Sequence, residues 1–229
     1  MSTLVKLGDF TSLKINIGSI PSRITASGSD EVLSHTRIIM PKDINNYGGI
    51  DSERINPTRL KTVPKENKLT VEGDLVVELC RPYRGAKVDK EAEGCIVSSF
   101  CAVIKSPLEL DNDYLLAFIN SSPYKIQIRN QLAHLSREKG IDKKSDIPSA
   151  ISTQMIKNVM IPLFDMDTQK EIGAQFVSAK KELYDLDKRT AEIRMSLEEK
   201  AFSKLTELYA PMEKWSNVDW ANMPFINLK

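Results

Sequence analysis

Residues 161–208 read IPLFDMDTQKEIGAQFVSAKKELYDLDKRTAEIRMSLEEKAFSKLTEL, and their spacing decides how the rest of the chain is read. From Thr168 to Leu208 there is no proline and one glycine, Gly173. Ile172, Phe176, Ala179, Leu183, Leu186, Thr190, Ile193 and Leu197 recur in alternate steps of four and three, the a/d pattern of a coiled coil with one polar member. The seam then moves through Ala201, Leu205 and Leu208 with an extra step of four, a stutter that unwinds a supercoil locally. Most remaining positions are charged, among them Lys180, Lys181, Glu182, Asp185, Lys188, Arg189 and Glu192. The spacing predicts one long helix with a narrow apolar stripe.

Length argues for what covers that stripe. At about 1.5 Å per residue such a helix is roughly 60 Å long, whereas a globule built from the residues before it is about 40 Å across. The helix is expected to project, and its stripe needs a partner, because each Leu or Ile removed from water is worth roughly 1.5–3 kcal/mol. A helix folded back along its own domain is the alternative; an assembly interface is the preferred reading.

Working outward, Ile161-Pro162-Leu163-Phe164-Asp165 marks the boundary. We expect an α+β module at 1–165, the long helix at 166–209 and a C-terminal tail at 210–229. Within the module, Leu69 to Cys80 places Gly73-Asp74 ahead of a β-branched run, a turn feeding a buried strand. Cys95 to Ile104 is a second buried strand, and the charged stretch Arg81 to Glu93 joins the two in a hairpin-like pair. Asp113 to Asn120 reads as a short helix capped by Asp113, and Lys125 to Leu135 as another amphipathic helix. Ser121-Ser122-Pro123-Tyr124 distantly resembles the tetrapeptide with which amino-methyltransferases hold a base, but reads more simply as a helix stop and turn. Ser136 to Ser145 reads as a polar loop, and residues 20–68 carry no pattern long enough to place.

The chain has 229 residues, 41% of them hydrophobic and 28% charged, which supports a packed core and not a disordered chain. No stretch has the length of a signal peptide or membrane span. Cys80, Cys95 and Cys101 form an odd set without C-x-x-C spacing, far from His35 and His134, so reduced thiols in a cytoplasm are expected in place of a disulfide framework or zinc site. Phosphate-loop, dinucleotide, zinc-helix and serine-elbow motifs are all lacking, and no cofactor or metal is implied. The nearest approach to catalysis is a metal-dependent endonuclease reading built on Asp43, Glu66 and Lys68, a loose match in a chain this charged.

The net charge is +1, but it is unevenly spread. Residues 1–164 hold 22 basic and 19 acidic side chains, and residues 165–209 hold 8 and 10. Arg37 to Lys68 and Lys125 to Lys144 are the basic stretches, and both contain Asn, Gln or Tyr side chains of the kind that contact bases and phosphates.

In chain order the text resembles the DNA-specificity (S) subunit of type I restriction-modification systems. Lys6-Leu7-Gly8-Asp9-Phe10 is similar to the opening of a target recognition domain in that family, and Pro41-Lys42-Asp43-Ile44 with Gly49-Ile50 to the stretch that follows. Gly73-Asp74-Leu75-Val76-Val77 resembles its "G-D-I-L" strand, and Val97-Ser98-Ser99-Phe100 with Ile104 its "V-S-x-x-F-x-x-I". Ile151-Ser152, Ile156-Lys157-Asn158, Ile161-Pro162-Leu163 and Gln169-Lys170-Glu171-Ile172 resemble the closing run into the helix. The resemblance implies a non-catalytic reader of a DNA half-site, with no enzyme activity of its own. Its implied partners are double-stranded DNA, the adenine methyltransferase (M) subunit and, as a further member, the restriction (R) subunit. The family's usual chain has two recognition domains and two helices, whereas one of each is found here, which implies a half-length form.

A half-length form needs a second helix, supplied by an antiparallel homodimer or by a different half-specificity subunit; a symmetric pair would read an inverted repeat. The expected interface is Ile172, Phe176, Ala179, Leu183, Leu186, Thr190, Ile193, Leu197, Ala201, Leu205 and Leu208. The expected DNA contacts, chosen by position, are Arg37, Lys42, Arg81, Arg84, Lys87, His134, Arg137 and Lys139.

Overall fold

Alternating burial along two short strands organises the module. In β6 (Leu75–Glu78) Leu75 and Val77 enter one hydrophobic cluster while Val76 enters another. In β9 (Cys101–Lys105) Ala102 and Ile104 join the first cluster, Cys101 and Val103 the second. A sheet covered on both faces needs apolar residues at consecutive positions, which is why both strands read as unbroken apolar runs. The computed structural model that shows this describes residues 3–138 and 150–209, without the side chains of 138 and 205–209. Lys139, the remainder of the 136–145 loop, the 210–229 tail and the side chains of Leu205 and Leu208 therefore lie outside the described residues.

The other strands are β1 (Thr3–Lys6), β2 (Lys14–Ile17), β3 (Ser34–Thr36), β4 (Ile38–Ile39), β5 (Thr58–Leu60), β7 (Gly85–Lys87), β8 (Ile96–Val97) and β10 (Met160–Leu163). The helices are α1 (Pro21–Ile24), α2 (Asn112–Asn120), α3 (Ser122–Glu138), α4 (Thr153–Lys157) and α5 (Met166–Tyr209). The largest sheet is antiparallel in the order β2-β9-β6-β7. The two expected strands are therefore neighbours, but the hairpin partner of β6 is β7, which lies within the charged connection. Two-stranded sheets pair β1 with β10, β3 with β5 and, in parallel, β4 with β8. The mixture of antiparallel strands and separate helices is α+β, as expected.

Helices α2, α3 and α4 supply the first cluster. Leu115, Leu116, Phe118 and Ile119 of α2 and Tyr124, Ile128 and Leu132 of α3 are all buried. The cap of α2 is Asp111 rather than Asp113: its carboxylate accepts from the N–H groups of Asp113 and Tyr114 at 3.0 Å each, satisfying two of the helix's unpaired donors. Helix α3 also runs to Glu138, three residues beyond the expected stop at Leu135.

The chain divides into two compact units, residues 1–182 and 183–229. In the first, the opening turns of α5 are fixed to the module by polar and steric detail. Asp165 caps the helix, accepting from Thr168 N–H at 2.8 Å, and this bond holds its carboxyl below the ordinary value. Gln169 is buried; its side-chain oxygen accepts from Asp111 N–H at 2.9 Å, while its amide donates to the carbonyls of Phe164 at 2.9 Å and Glu109 at 3.1 Å. Gly173 lets the helix approach α2 so closely that an added Cβ would stand 2.7 Å from Tyr114 N. Ile172 and Phe176 pack against the module's own core. In the second unit, α5 carries Leu183, Leu186, Ile193 and Leu197 with 49–62% of their surface exposed.

Candidate nucleic-acid interface

The basic side chains chosen from the sequence fall into three groups. Arg84 is held inward. Its guanidinium meets the buried carboxylate of Glu78 at 2.6 Å, and it also donates to Asn46 Oδ1 at 3.1 Å and the Pro41 carbonyl at 3.3 Å. Glu78 has almost no exposure, so this fork neutralises a buried charge and ties the 41–46 loop to the β6–β7 turn. Lys87 pairs with Asp113 at 2.7 Å, and Arg37 donates to the Glu91 carbonyl. Lys42 and Arg81 are exposed on the two segments that Arg84 joins, Arg81 in the turn between β6 and β7. His134 and Arg137 are exposed near the end of α3, on a different element. Arg84 thus ties together the segments that carry Lys42 and Arg81, while His134 and Arg137 belong to α3.

The carboxylate of the endonuclease reading has a structural task. Asp43 is buried and accepts from Met40 N–H at 2.8 Å, closing the short 3-10 turn Pro41–Asp43. Glu66 and Lys68 are exposed on another 3-10 turn. Among the described residues no group of three or more His, Cys, Asp or Glu side chains could hold a metal ion. Nothing in the arrangement supports metal-dependent cleavage by these three residues.

The cysteines are all unpaired with one another, Cys95 and Cys101 buried and Cys80 partly so. Burial pushes the Cys101 thiol up to about 12 and raises those of Cys80 and Cys95 as well. A nucleophilic cysteine needs a stabilised thiolate, which is the opposite shift. No described helix is long and apolar enough to cross a membrane.

Sequence reasoning missed a second polar surface, along the edge strand β2. Register places Lys14 opposite Lys105 and Asn16 opposite Val103. Asn16, Val103 and Lys105 line a shallow, solvent-open depression together with Asn67, Lys68 and Leu69, and Lys14 lies next to it by its register with Lys105. The signal available in the sequence was the alternation Lys14-Ile15-Asn16, where Ile15 packs against the core and its neighbours are exposed.

No protein-family model matches the sequence, and no curated protein matches it. Solved structures do match. The HsdS subunit from Thermoanaerobacter tengcongensis aligns with a TM-score of 0.55 at 19% identity, covering 90% of this chain and 49% of that one. A structure describing complex assembly and conformational transition of the type I R-M system gives 0.55 at 18% identity, covering 86% of this chain and 43% of that one. The type IIG restriction endonuclease BpuSI gives 0.51 at 8% identity over 76% of this chain and 26% of that one. The chain therefore has the fold of the type I restriction-modification HsdS subunits and spans a little under half the length of the two type I chains it matches.

Proposed function

We propose that this chain is a DNA-reading specificity subunit of a type I restriction-modification system. It recognises a half-site without catalysing a reaction, docks adenine methyltransferase subunits and works in the cytoplasm as an antiparallel homodimer. The observation that carries the reading is the pairing of a recognition-domain fold, shared with HsdS, with a helix whose seam stays exposed after its first turns. The seam at Ile172 and Phe176 is occupied by the module's own core, so the homodimer interface proposed here rests on Ala179, Leu183, Leu186, Thr190, Ile193, Leu197 and Ala201. Leu205 and Leu208 continue it by sequence.

Of the proposed DNA contacts, Lys42, Arg81, His134 and Arg137 stand at exposed positions. Arg37, Arg84 and Lys87 would have to exchange an internal partner; Lys139 stays in the proposal on sequence grounds. The mildly basic module is consistent with weak, salt-sensitive binding by one copy and stronger binding by a symmetric pair.

The test is selection from a random-sequence duplex pool with the purified chain, alone and with an adenine methyltransferase subunit of the same type. The expected result is enrichment of an inverted repeat with a fixed spacer, tighter when the methyltransferase is present, and no cleavage with Mg²⁺. Enrichment of no sequence in either arm, or Mg²⁺-dependent cutting by the chain alone, overturns the proposal.

A further inference from the structure

The cleft beside β2 has the composition of a nucleic-acid seat, and none of the sequence-chosen contacts lies in it. The sheet is covered on one face by the first hydrophobic cluster, and on β6, β7 and β9 the other face is covered by the second. That cover ends at β2, the edge strand, leaving Lys14 and Asn16 exposed. Across the cleft stand Asn67 and Lys68, also exposed. Lys105 lines the same cleft, but its ammonium is bound to Asp74 at 3.2 Å. Neither Lys14 nor Lys68 belongs to an ion pair among the described residues. Two carboxamides, each with two donors and an acceptor, complete the lining.

The rim is apolar and rigidly placed. Gly18 N–H donates to the Cys101 carbonyl at 3.0 Å, and Ser19 exchanges bonds of 2.7 Å with Val97 and Ser99, so the end of β2 is stapled to the 97–101 turn. The approach requires Gly18: a Cβ there would lie 2.2 Å from the carbonyl oxygens of Val97 and Ser98. Phe100 sits on that turn and is about half exposed, as is Ile17 at the end of β2. An exposed aromatic on a turn stapled to the strand that carries these polar side chains adds an apolar element to the surface. It is the combination that meets a DNA strand: cations for phosphates, carboxamides for base edges and an apolar side chain for a thymine methyl or an opened base step.

We infer that the β2 cleft is a DNA-contact site of the module, with Lys14 and Lys68 on phosphates, Asn16 and Asn67 on base edges and Phe100 against the base stack. The inference rests on the DNA-reading proposal above and specifies where on the module reading occurs. It also divides the labour: the lysine pair supplies grip and the carboxamide pair supplies selectivity.

The experiment uses the full chain and a random-sequence duplex pool of about 30 base pairs at 50 mM salt. Lys14→Ala with Lys68→Ala should weaken binding to the whole pool by about ten- to a hundredfold and reduce the slope of log affinity against log salt by about 1–2. Asn16→Ala with Asn67→Ala should bind the pool within about twofold of the parent yet lose its preference at one or more positions after selection and sequencing. Lys188→Ala with Lys200→Ala, an equal loss of charge elsewhere, should change pool binding less than about twofold. All three pairs lie at exposed positions, and melting temperatures within a few degrees of the parent establish that each variant is folded. If the parent binds the pool and the Lys14/Lys68 variant keeps both affinity and salt slope, the cleft is not a DNA seat and the broader reading stands. If the Asn pair leaves selection unchanged, base reading at the cleft is overturned. If the parent retains no duplex at 50 mM salt, the DNA-reading proposal falls, and this one with it.

Discussion

Gln169 shows how one side chain does work that periodicity cannot reveal. It lies inside the run Gln169-Lys170-Glu171-Ile172, whose resemblance to the closing motif of the specificity subunits was legible, but its role was not. Its three hydrogen bonds join the backbone at Asp111, Glu109 and Phe164, all outside α5. A buried carboxamide satisfied in this way is costly to remove, because the former partners stay buried and unpaired. Gln169→Leu should destabilise the module by about 2–4 kcal/mol, read as a fall in the urea midpoint of about 1 M or more; an unchanged midpoint would show that water replaces all three bonds. Arg84 teaches the converse. Its type and position in a charged connection suggested a DNA contact, whereas the fork onto Glu78 shows a side chain already committed. A single arginine reads alike in both roles, since composition does not tell which carboxylate the fold will bury beside it.

At the scale of elements, α5 was the most legible part of the molecule, because its pattern repeats over many turns and contains no proline. What the pattern could not say is which surface covers each seam position. Ile172 and Phe176 serve the module's core and Leu183 onward stays exposed, yet all obey one spacing. The clue was Gly173: a lone glycine in a helix marks a close approach, here to Asp113 and Tyr114. The exposed part leads to a direct prediction for the proposed homodimer. The parent chain should sediment as a dimer at micromolar concentration, and Leu186→Glu with Ile193→Glu should give a monomer of unchanged helical content, because each buried carboxylate at a seam position would lack a partner. A parent that sediments as a monomer removes the symmetric pair. Residues 20–68 were not legible for the opposite reason. Strands β3, β4 and β5 have two or three residues each and exist only through distant pairings, β4 with β8 and β3 with β5, so no local period announces them.

On the scale of the whole molecule, burial of Cys101 in β9 and of Tyr114 in α2 sets how the fold responds to alkali. Cys101 and Tyr114 both stand at about 12, raised by burial from ordinary values of 9.0 and 10.0. A group whose proton is held more tightly in the folded chain contributes stability that is intact below its unfolded value and is lost as pH rises through its folded one. Unfolding free energy should therefore hold steady up to about pH 9 and decline from there toward pH 12, which denaturant titrations at stepped pH will show; a flat profile would mean that these groups reach solvent before the chain unfolds. The balance of charge, +1 over the chain, conceals the difference between a module in cationic excess and a helix that is slightly acidic, and only position along the chain made that difference visible. The exposed edge of β2 has a further consequence, one for evolutionary change. Because β6, β7 and β9 are covered on both faces by packing, the positions of the central sheet that are open to change without loss of folding lie at that edge and in the turns beside it. A saturation library scored for soluble expression should tolerate nearly any residue at Lys14, Asn16, Asn67 and Lys68 and almost none at Gly18, so that new target preferences are reachable by single steps while the scaffold that presents them stays constant.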